Sequence, residues 1–270
     1  MPDAAGLRYE TRGPDNAPPV LLLHGFMGSA AEWEEVGRAL SGEYRCLIPD
    51  LPGHGGSTGL PYPESYTMEG AARSLTAVLD AEGIERCAVA GYSMGGRLAL
   101  YLALRHPQRV ERLLLESASP GLATEDERAA RRASDEKLAQ RLETENFREF
   151  VEDWYRQPLF ATLARDESLL RRTIEARLEN DPHELARSLR VTGTGSQPSL
   201  WAELAELHVP TLAISGEEDV KFVALARGME FSSPNVRAAV VQELGHSMHL
   251  EDAEAYTHLL KDHLKYSRYA

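Results

Sequence analysis

The chain has 270 residues, with 29 lysines and arginines against 42 aspartates and glutamates, which gives a formal net charge of −13. Hydrophobic residues make up 43% and charged residues 26%, values typical of a folded globular protein rather than a disordered one. So negative a chain repels nucleic acids and anionic membrane surfaces, so neither is an expected partner. An anionic small substrate stays possible, but its binding needs a local cluster of cations.

The N-terminal stretch and the cysteines indicate a cytoplasmic protein. Residues 1–13 show neither a basic region nor an apolar core, so we expect no signal peptide, and no apolar run approaches the ~20 residues of a membrane span. Cys46 and Cys87 fall in short apolar runs, which predicts buried free thiols in a reducing compartment. No His, Cys or Asp residues are grouped at metal-ligand spacing, so we expect no metal and no cofactor. The oligomeric state is left open, with a monomer possible.

The first part of the chain alternates between short, near-continuous apolar runs and helical patterns, as in a mostly parallel sheet covered on both faces. In chain order, the predicted strands are Pro19–Gly25, Arg45–Leu51, Cys87–Ser93 and Val110–Ser117, and the helices between them are Ala30–Leu40, Thr67–Gly83 and Gly95–Pro107. The fold class is therefore α/β.

The alternation stops at Gly121 and resumes after Leu200. Residues 121–200 are charged and helical in pattern, with no convincing strand. Strands then follow at Pro210–Asp219 and Val236–His246, and helices near Lys221–Met229 and Ala253–Tyr266. We predict one sheet domain from residues 1–120 and 201–270. Residues 121–200 would form a helical lid over the carboxyl ends of the strands, where open α/β sheets bind ligands.

The stretch Gly91-Tyr92-Ser93-Met94-Gly95 matches the pattern G-x-S-x-G between a predicted strand and a predicted helix. In that context the pattern predicts a nucleophile elbow, a tight turn that exposes the serine at the top of the sheet. A serine that merely caps the helix is the alternative. The strand-to-helix context favours Ser93 as the reactive residue.

A serine of this kind needs a carboxylate and a histidine, which in this fold follow it in that order. Asp219 comes just after a predicted strand and is our choice of acid, with Glu217 and Glu218 as alternatives. His246 follows the last strand and is our choice of base. His249 is its rival, but it falls at the start of the closing helix and is expected to pack there.

The loop after the first predicted strand completes the set. It follows His24 and Gly25, and it can direct the backbone N–H of Phe26 at the site. Together with the N–H of Met94, this amide is predicted to form an oxyanion hole. Three elements at three strand ends, in this order, predict an α/β-hydrolase fold.

These residues also carry a family resemblance. The chain resembles the α/β-hydrolase superfamily, and more narrowly the 2-succinyl-6-hydroxy-2,4-cyclohexadiene-1-carboxylate (SHCHC) synthase, or MenH, family of menaquinone biosynthesis. The matching stretches are LLLHGFMGSAAEWEEV, DLPGHGGS, GYSMGGR, ESASPGL, DWYRQPLF, GTGSQPSLW and GEEDVKF. The resemblance implies a carbon–oxygen lyase that eliminates pyruvate from 2-succinyl-5-enolpyruvyl-6-hydroxy-3-cyclohexene-1-carboxylate, a small polycarboxylate. It also implies proton abstraction by Ser93 with no acyl-enzyme.

The resemblance further implies which side chains bind the substrate. Arg97, one turn after Ser93, and Arg131 and Arg177 in the predicted lid match family positions that hold carboxylates. Tyr92 and Trp154 match positions that line the pocket. Arg suits this role because its planar fork binds a carboxylate through two hydrogen bonds.

Two of these arginines differ in how well the sequence alone supports them. A cation at the positive end of a buried helix is unfavourable unless an anion binds there, which supports Arg97. Arg131 has Arg128 and Arg132 as neighbours, and any of the three could simply be solvated.

Two other functions remain open at this point. An esterase or a carbon–carbon bond hydrolase would use the same three residues, with Ser93 as nucleophile. A non-catalytic relative would bind a ligand without turning it over, because a fold does not settle a function. The set of arginines argues against a neutral ester, and the complete set Ser93, Asp219 and His246 argues against a mere binding protein.

Overall fold

The computed structural model describes residues 3–265. Within them, eight strands form one sheet in the order β1-β2-β4-β3-β5-β6-β7-β8. The strands are β1 Asp3–Ala4, β2 Leu7–Arg12, β3 Pro19–Leu23, β4 Arg45–Pro49, β5 Cys87–Tyr92, β6 Val110–Glu116, β7 Thr211–Gly216 and β8 Val236–Val241. β3 to β8 are parallel to their neighbours, whereas β2 pairs antiparallel with β4 and β1 antiparallel with β2.

Helices cover both faces of the sheet. Their bounds are α1 Glu34–Leu40, α2 Met68–Ala81, α3 Met94–Arg105, α4 Glu125–Thr144, α5 Phe147–Tyr155, α6 Glu167–Arg177, α7 Pro182–Thr192, α8 Val220–Ser232, α9 Met248–Glu251 and α10 Ala253–Lys265. One apolar cluster joins the sheet to α2, α3 and α8, and a second joins its other face to α1 and α10. Trp33 and Tyr256 are the largest fully buried side chains of the second cluster.

The central strands and the flanking helices confirm the predicted α/β class, with ends shifted by a few residues. The helix predicted at Gly95–Pro107 is α3, which begins at Met94. Tyr266, the predicted end of the last helix, lies outside the described residues. β1 and β2 were not predicted, since Leu7–Arg12 has only two deeply buried side chains, Leu7 and Tyr9, and reads as a weak alternating pattern.

The segment between β6 and β7 contains α4 to α7 and, in the described chain, no strand. α4 begins at a capping box, in which Thr124 accepts from the Glu127 N–H and the Glu127 side chain accepts from the Thr124 N–H. α7 begins at Pro182, and Asp181 is its N-cap, whose side chain accepts from the His183 and Glu184 N–H groups. These helices have an apolar cluster of their own, which includes Phe150, Leu185 and, from the loop after β3, Met27.

Candidate active site

A cavity of about 530 Å³ lies between the carboxyl ends of the strands and the inserted segment. Ser93, Met94 and His246 line it from the sheet side, and Trp154 and Thr192 line it from α5 and α7. The inserted segment thus faces Ser93, which is the arrangement that the lid hypothesis needs. The division into core and lid stays a prediction.

The turn that carries Ser93 is a strained one. Ser93 has φ 48° and ψ −105°, a backbone conformation that a residue with a side chain rarely adopts. The flanking glycines explain how the turn fits: a Cβ on Gly95 would lie 2.3 Å from the Leu23 carbonyl oxygen, and one on Gly91 2.5 Å from the Gly95 carbonyl oxygen. The Ser93 N–H donates to the Glu116 carbonyl at 2.9 Å, which ties the turn to the end of β6.

Ser93, His246 and Asp219, called the triad below, come together at three strand ends. The Ser93 hydroxyl is 3.2 Å from His246 Nε2, and His246 Nδ1 is 2.7 Å from Asp219 Oδ2. Because a carboxylate only accepts, Nδ1 carries the hydrogen and Nε2 is left to accept from Ser93. Ser117 Oγ also donates to Asp219 Oδ2 at 2.8 Å and so helps to fix the carboxylate.

The alternatives to Asp219 and His246 make contacts outside the triad. Glu218 makes two hydrogen bonds of 2.7 Å to the exposed Arg165, and Glu217 is exposed. His249 packs in the core, as expected, where its Nδ1 lies 2.9 Å from Glu116. Burial opposes a charged His249, but Glu116 and Glu32 outweigh it and raise the pKa of His249 to about 9.

Aromatic rings surround His246. The ring centroids of Phe222, Tyr92 and Phe160 lie 4.7, 5.3 and 6.0 Å from that of His246. Only 2% of His246 is exposed, so the imidazole works in a dry environment. Tyr92 was expected to line the pocket, but its ring is buried behind His246 and its hydroxyl bonds Ser247 Oγ at 2.8 Å, so it does not reach the cavity.

Phe26 and Met94 both line the cavity beside Ser93. As the first residue of α3, Met94 has an N–H without an intrahelical acceptor. The approach to Phe26 is fixed by the preceding residue, because the Gly25 N–H donates to Glu32 Oε1 at 3.1 Å. Both residues thus share the cavity lining with Ser93, and the oxyanion hole formed by their amides stays a prediction.

Arg97 lines the cavity one turn after Ser93 and is only 8% exposed. Its Nη1 donates to the Thr192 carbonyl and to Gln197 Oε1, each at 2.8 Å. Burial disfavours the charge, nearby Arg131 adds to this, and the pKa of Arg97 is lowered to about 10. The guanidinium is thus a buried cation with neutral hydrogen-bond acceptors.

Of the three neighbouring arginines on α4, Arg131 lines the cavity. It donates to Asp135 at 2.7 Å. Arg128 and Arg132 instead bind Glu125 and backbone carbonyls. The choice of Arg131 over its neighbours, left open by the sequence, is thereby favoured by geometry.

Arg177 is not where the resemblance placed it. It is 4% exposed, does not line the cavity, and forms an ion pair with Glu32 and a hydrogen bond of 2.8 Å to Tyr155 Oη. Burial disfavours its charge, but Glu32 and Tyr155 outweigh the burial and raise the pKa of Arg177. The guanidinium that was expected to contact the substrate is thus paired with a carboxylate of the protein itself. In the sequence analysis, Glu32 was only part of the predicted helix Ala30–Leu40.

Sequence reasoning also missed Lys221, which lines the cavity at the start of α8. It lies two residues after Asp219, and this proximity to the triad acid was the available signal. Arg97, Arg131 and Lys221 give the lining three cations against one carboxylate, Glu127. The cavity is therefore locally positive within an acidic protein.

Two features are absent from the described residues. Between residues 3 and 265, no three His, Cys, Asp or Glu side chains are arranged to hold a metal ion. In the same range, none of the helices combines the length and the apolar character needed to cross a bilayer.

Comparison with known proteins gives consistent results. The family model for the alpha/beta hydrolase fold matches residues 18–253. A Salmonella heidelberg protein named 2-succinyl-6-hydroxy-2,4-cyclohexadiene-1-carboxylate synthase is 37% identical over 241 residues, covering 89% of this chain and 91% of its own. A Bacillus subtilis protein provisionally given the same name is 36% identical over 262 residues, covering 96% and 95%. The structure of MenH from S. aureus superposes with a TM-score of 0.90 at 32% identity and covers 96% of this chain and 97% of its own.

Proposed function

The chain belongs to the SHCHC synthase (MenH) family of α/β-hydrolase-fold proteins, and from this membership we propose that it is a lyase of menaquinone biosynthesis. Its reaction eliminates pyruvate from 2-succinyl-5-enolpyruvyl-6-hydroxy-3-cyclohexene-1-carboxylate and gives 2-succinyl-6-hydroxy-2,4-cyclohexadiene-1-carboxylate. One observation carries the proposal: Ser93 and His246, the latter bonded to Asp219, line a single cavity together with three cations. The substrate, with carboxylates on its ring, its succinyl chain and its enolpyruvyl group, needs both.

The triad supplies the proton transfer. Ser93 gives its proton to His246 Nε2, whose protonated form Asp219 stabilises at 2.7 Å, and the serine oxygen then takes the proton α to the succinyl ketone. The electron pair of that C–H bond forms an enolate, whose oxygen rests on the Phe26 and Met94 amides. This step needs no acyl-enzyme.

Collapse of the enolate expels the leaving group. The electron pair moves through the ring double bond and breaks the C–O bond to the enolpyruvyl group. The released enolpyruvate takes up one proton and becomes pyruvate, and His246 gives up the proton that it received from Ser93, which restores the starting state. Trp154 and the other side chains of the inserted segment close the cavity over the ring and limit water, which favours elimination over hydrolysis.

The cations place the substrate. Arg97, nearest to Ser93 along the chain, and Arg131, on α4, each offer N–H groups to a carboxylate. Arg177 is left out of this clamp, because it is buried against Glu32 and does not line the cavity. The expected partner is therefore a small polycarboxylate, and the acidic exterior gives no reason to expect a nucleic acid.

The cytoplasm is the proposed location. Cys46 and Cys87 are buried free thiols, and burial raises the pKa of each to about 12, so neither is poised for redox chemistry. Unpaired thiols of this kind suit a reducing compartment.

Pyruvate release from the cyclohexene substrate tests the proposal. Wild type should release pyruvate, and Ser93→Ala should lower kcat by about 10²- to 10⁴-fold, the usual contribution of a positioned proton-transfer group. Ser134→Ala is the matched control, because Ser134 is exposed on α4. Turnover of a neutral aryl ester without pyruvate release would instead support a serine hydrolase. Binding without any turnover would support a ligand-binding relative.

A further inference from the structure

The contacts of Arg97 are unusual for a buried guanidinium. None of the ion pairs within residues 3–265 includes Arg97, and its two acceptors, Thr192 O and Gln197 Oε1, are neutral. Both share the same nitrogen, Nη1, and both belong to the stretch at the end of the inserted segment.

These contacts leave one edge of the guanidinium for a ligand. Nε and Nη2 donate none of the hydrogen bonds found in the described part of the chain, and Arg97 lines the cavity. The Nε–Nη2 edge presents two parallel N–H groups, the geometry that a carboxylate accepts from arginine. The bonds to Nη1 hold the fork in place without using that edge.

Gln197 orients the guanidinium of Arg97 at a cost in protein stability. Its side chain is fully buried, and its Nε2 has no hydrogen-bond partner in the described range. An unsatisfied buried donor is unfavourable. A glutamate of nearly the same size would remove that donor and neutralise Arg97, so stability alone does not explain the amide.

We propose that Gln197 is a specificity-determining residue, a neutral acceptor that orients Arg97 while leaving its charge uncompensated until a substrate carboxylate binds. This inference rests on the proposed function, since it names how that site selects an anionic substrate. The low pKa of Arg97, caused by burial and then by Arg131 and offset only in part by Asp135, agrees with a cation that has no ion-pair partner of its own.

Gln197→Glu tests the inference, because it adds one carboxylate at 2.8 Å from Arg97 with almost no change in shape. KM for the cyclohexene substrate should rise by about 10- to 100-fold, the weight of a charge-assisted contact, with a smaller change in kcat. The melting temperature should stay equal or rise, because the new charge pairs with Arg97. Gln108→Glu is the matched control: it adds the same charge at an exposed position on the short turn before β6.

A second variant separates charge from shape. Gln197→Met removes the acceptor but adds no charge, so its KM should rise much less than that of Gln197→Glu. Equal KM increases in the two variants, or a KM for Gln197→Glu within twofold of Gln108→Glu, overturn the inference. A fall in melting temperature with an equal loss of kcat and kcat/KM would show a structural role only, and so would also overturn it.

A binding measurement keeps this inference distinct from the proposed function. Succinate, a simple dicarboxylate, should bind wild type and Gln108→Glu in calorimetric titrations, and about 10-fold or more weakly to Gln197→Glu. If wild type releases no pyruvate, the proposed function fails and this titration decides the role of Gln197. Absence of succinate binding in a wild type that is also inactive overturns both.

Discussion

Two buried arginines illustrate how differently one residue type can serve in this molecule. Arg97, under the end of the inserted segment, is 8% exposed and bonds only neutral acceptors. Arg177, on α6 of the same segment, is 4% exposed and pairs with the fully buried Glu32 carboxylate. Burial lowers the pKa of Arg97, whereas at Arg177 Glu32 outweighs burial and the pKa is raised.

The difference shows that burial alone does not mark a ligand-binding arginine: Arg97 and Arg177 differ in whether a carboxylate of the protein is paired with them and in whether they line the cavity. At Arg177 the protein supplies a buried carboxylate, so this cation is already satisfied and holds structure together. Glu32 also accepts from the Gly25 N–H, so Arg177 connects the inserted segment to the loop that carries the Phe26 amide. Where the protein supplies none, the site stays electrostatically incomplete until an anion arrives.

The largest expected effect comes from removing the counter-ion at Arg177. Glu32→Gln keeps the shape but leaves the buried guanidinium without a carboxylate, so we expect a loss of about 3–5 kcal/mol in the free energy of unfolding. Urea titration measures it. Glu34→Gln, which breaks the exposed contacts of Glu34 to Arg12 and Arg38, is the control and should cost about 0–1 kcal/mol. A Glu32→Gln protein as stable as Glu34→Gln would show that Arg177 does not depend on Glu32 as a counter-ion.

The next effect is a pH dependence that arises from His249 in the Arg177 region. His249 lies between Glu116 and Glu32, and its pKa is raised to about 9 from 6.5. A raised histidine pKa stabilises the fold fully below pH 6.5, and this contribution is lost as the pH rises through 9. We expect a loss on the order of 3 kcal/mol across that window.

Urea unfolding at several pH values between 6.5 and 10 measures this slope, and His249→Gln should flatten it. Burial lowers the pKa of His54 to about 3, so that group acts below pH 6.5 and does not interfere. Arg97, whose pKa is lowered to about 10, contributes only at the upper end of this pH range. An unchanged slope in His249→Gln would show that the pH dependence arises elsewhere.

The third effect is a functional one and tests the Arg97 region. Arg97→Met keeps most of the volume of the side chain but removes the fork. Transition-state stabilisation should fall by about 1.5–3 kcal/mol, which lowers kcat/KM by roughly one to two powers of ten. Stability should stay within ~1 kcal/mol of wild type, because no ion pair is broken. Arg97→Lys should recover part of the activity, since an ammonium keeps the charge without the fork.

Arg177→Met should show the opposite pattern to Arg97→Met, with a loss of stability and little change in KM. It leaves the Glu32 carboxylate buried without its partner, so stability should fall by about 3–5 kcal/mol. In the folded fraction, KM should change little, because Arg177 does not line the cavity. A large KM increase with normal stability would return Arg177 to the substrate clamp.

The sequence predicted the triad because its signals are local. A glycine-flanked serine, an acid and a histidine each follow a strand, and the carboxyl ends of parallel strands meet at one edge. The partners of the arginines are not local. Glu32 and Arg177 are 145 positions apart, and Arg97 and Gln197 are 100 positions apart, so no spacing pattern connects the members of either pair. The family resemblance implied that Arg177 binds the substrate, and Gln197 entered only as part of the matching stretch GTGSQPSLW.

The smallest expected effect concerns Lys221, the exposed cation of the cavity. Because water and salt screen an exposed charge, Lys221→Met should reduce transition-state stabilisation by only about 0.2–1 kcal/mol, which lowers kcat/KM at most roughly fivefold.

The dependence of kcat/KM on salt concentration identifies the contribution of Lys221. Wild-type kcat/KM should fall as ionic strength rises, and Lys221→Met should show a flatter slope. Arg97→Met should keep the wild-type slope, because a buried contact is screened far less. Lys261→Met, whose charge pairs with Glu43 outside the cavity, controls for the loss of one positive charge. If Arg97→Met and Lys221→Met flatten the slope equally, the guanidinium of Arg97 is exposed to salt in solution, and the contrast between a buried unpaired cation and a screened one does not hold.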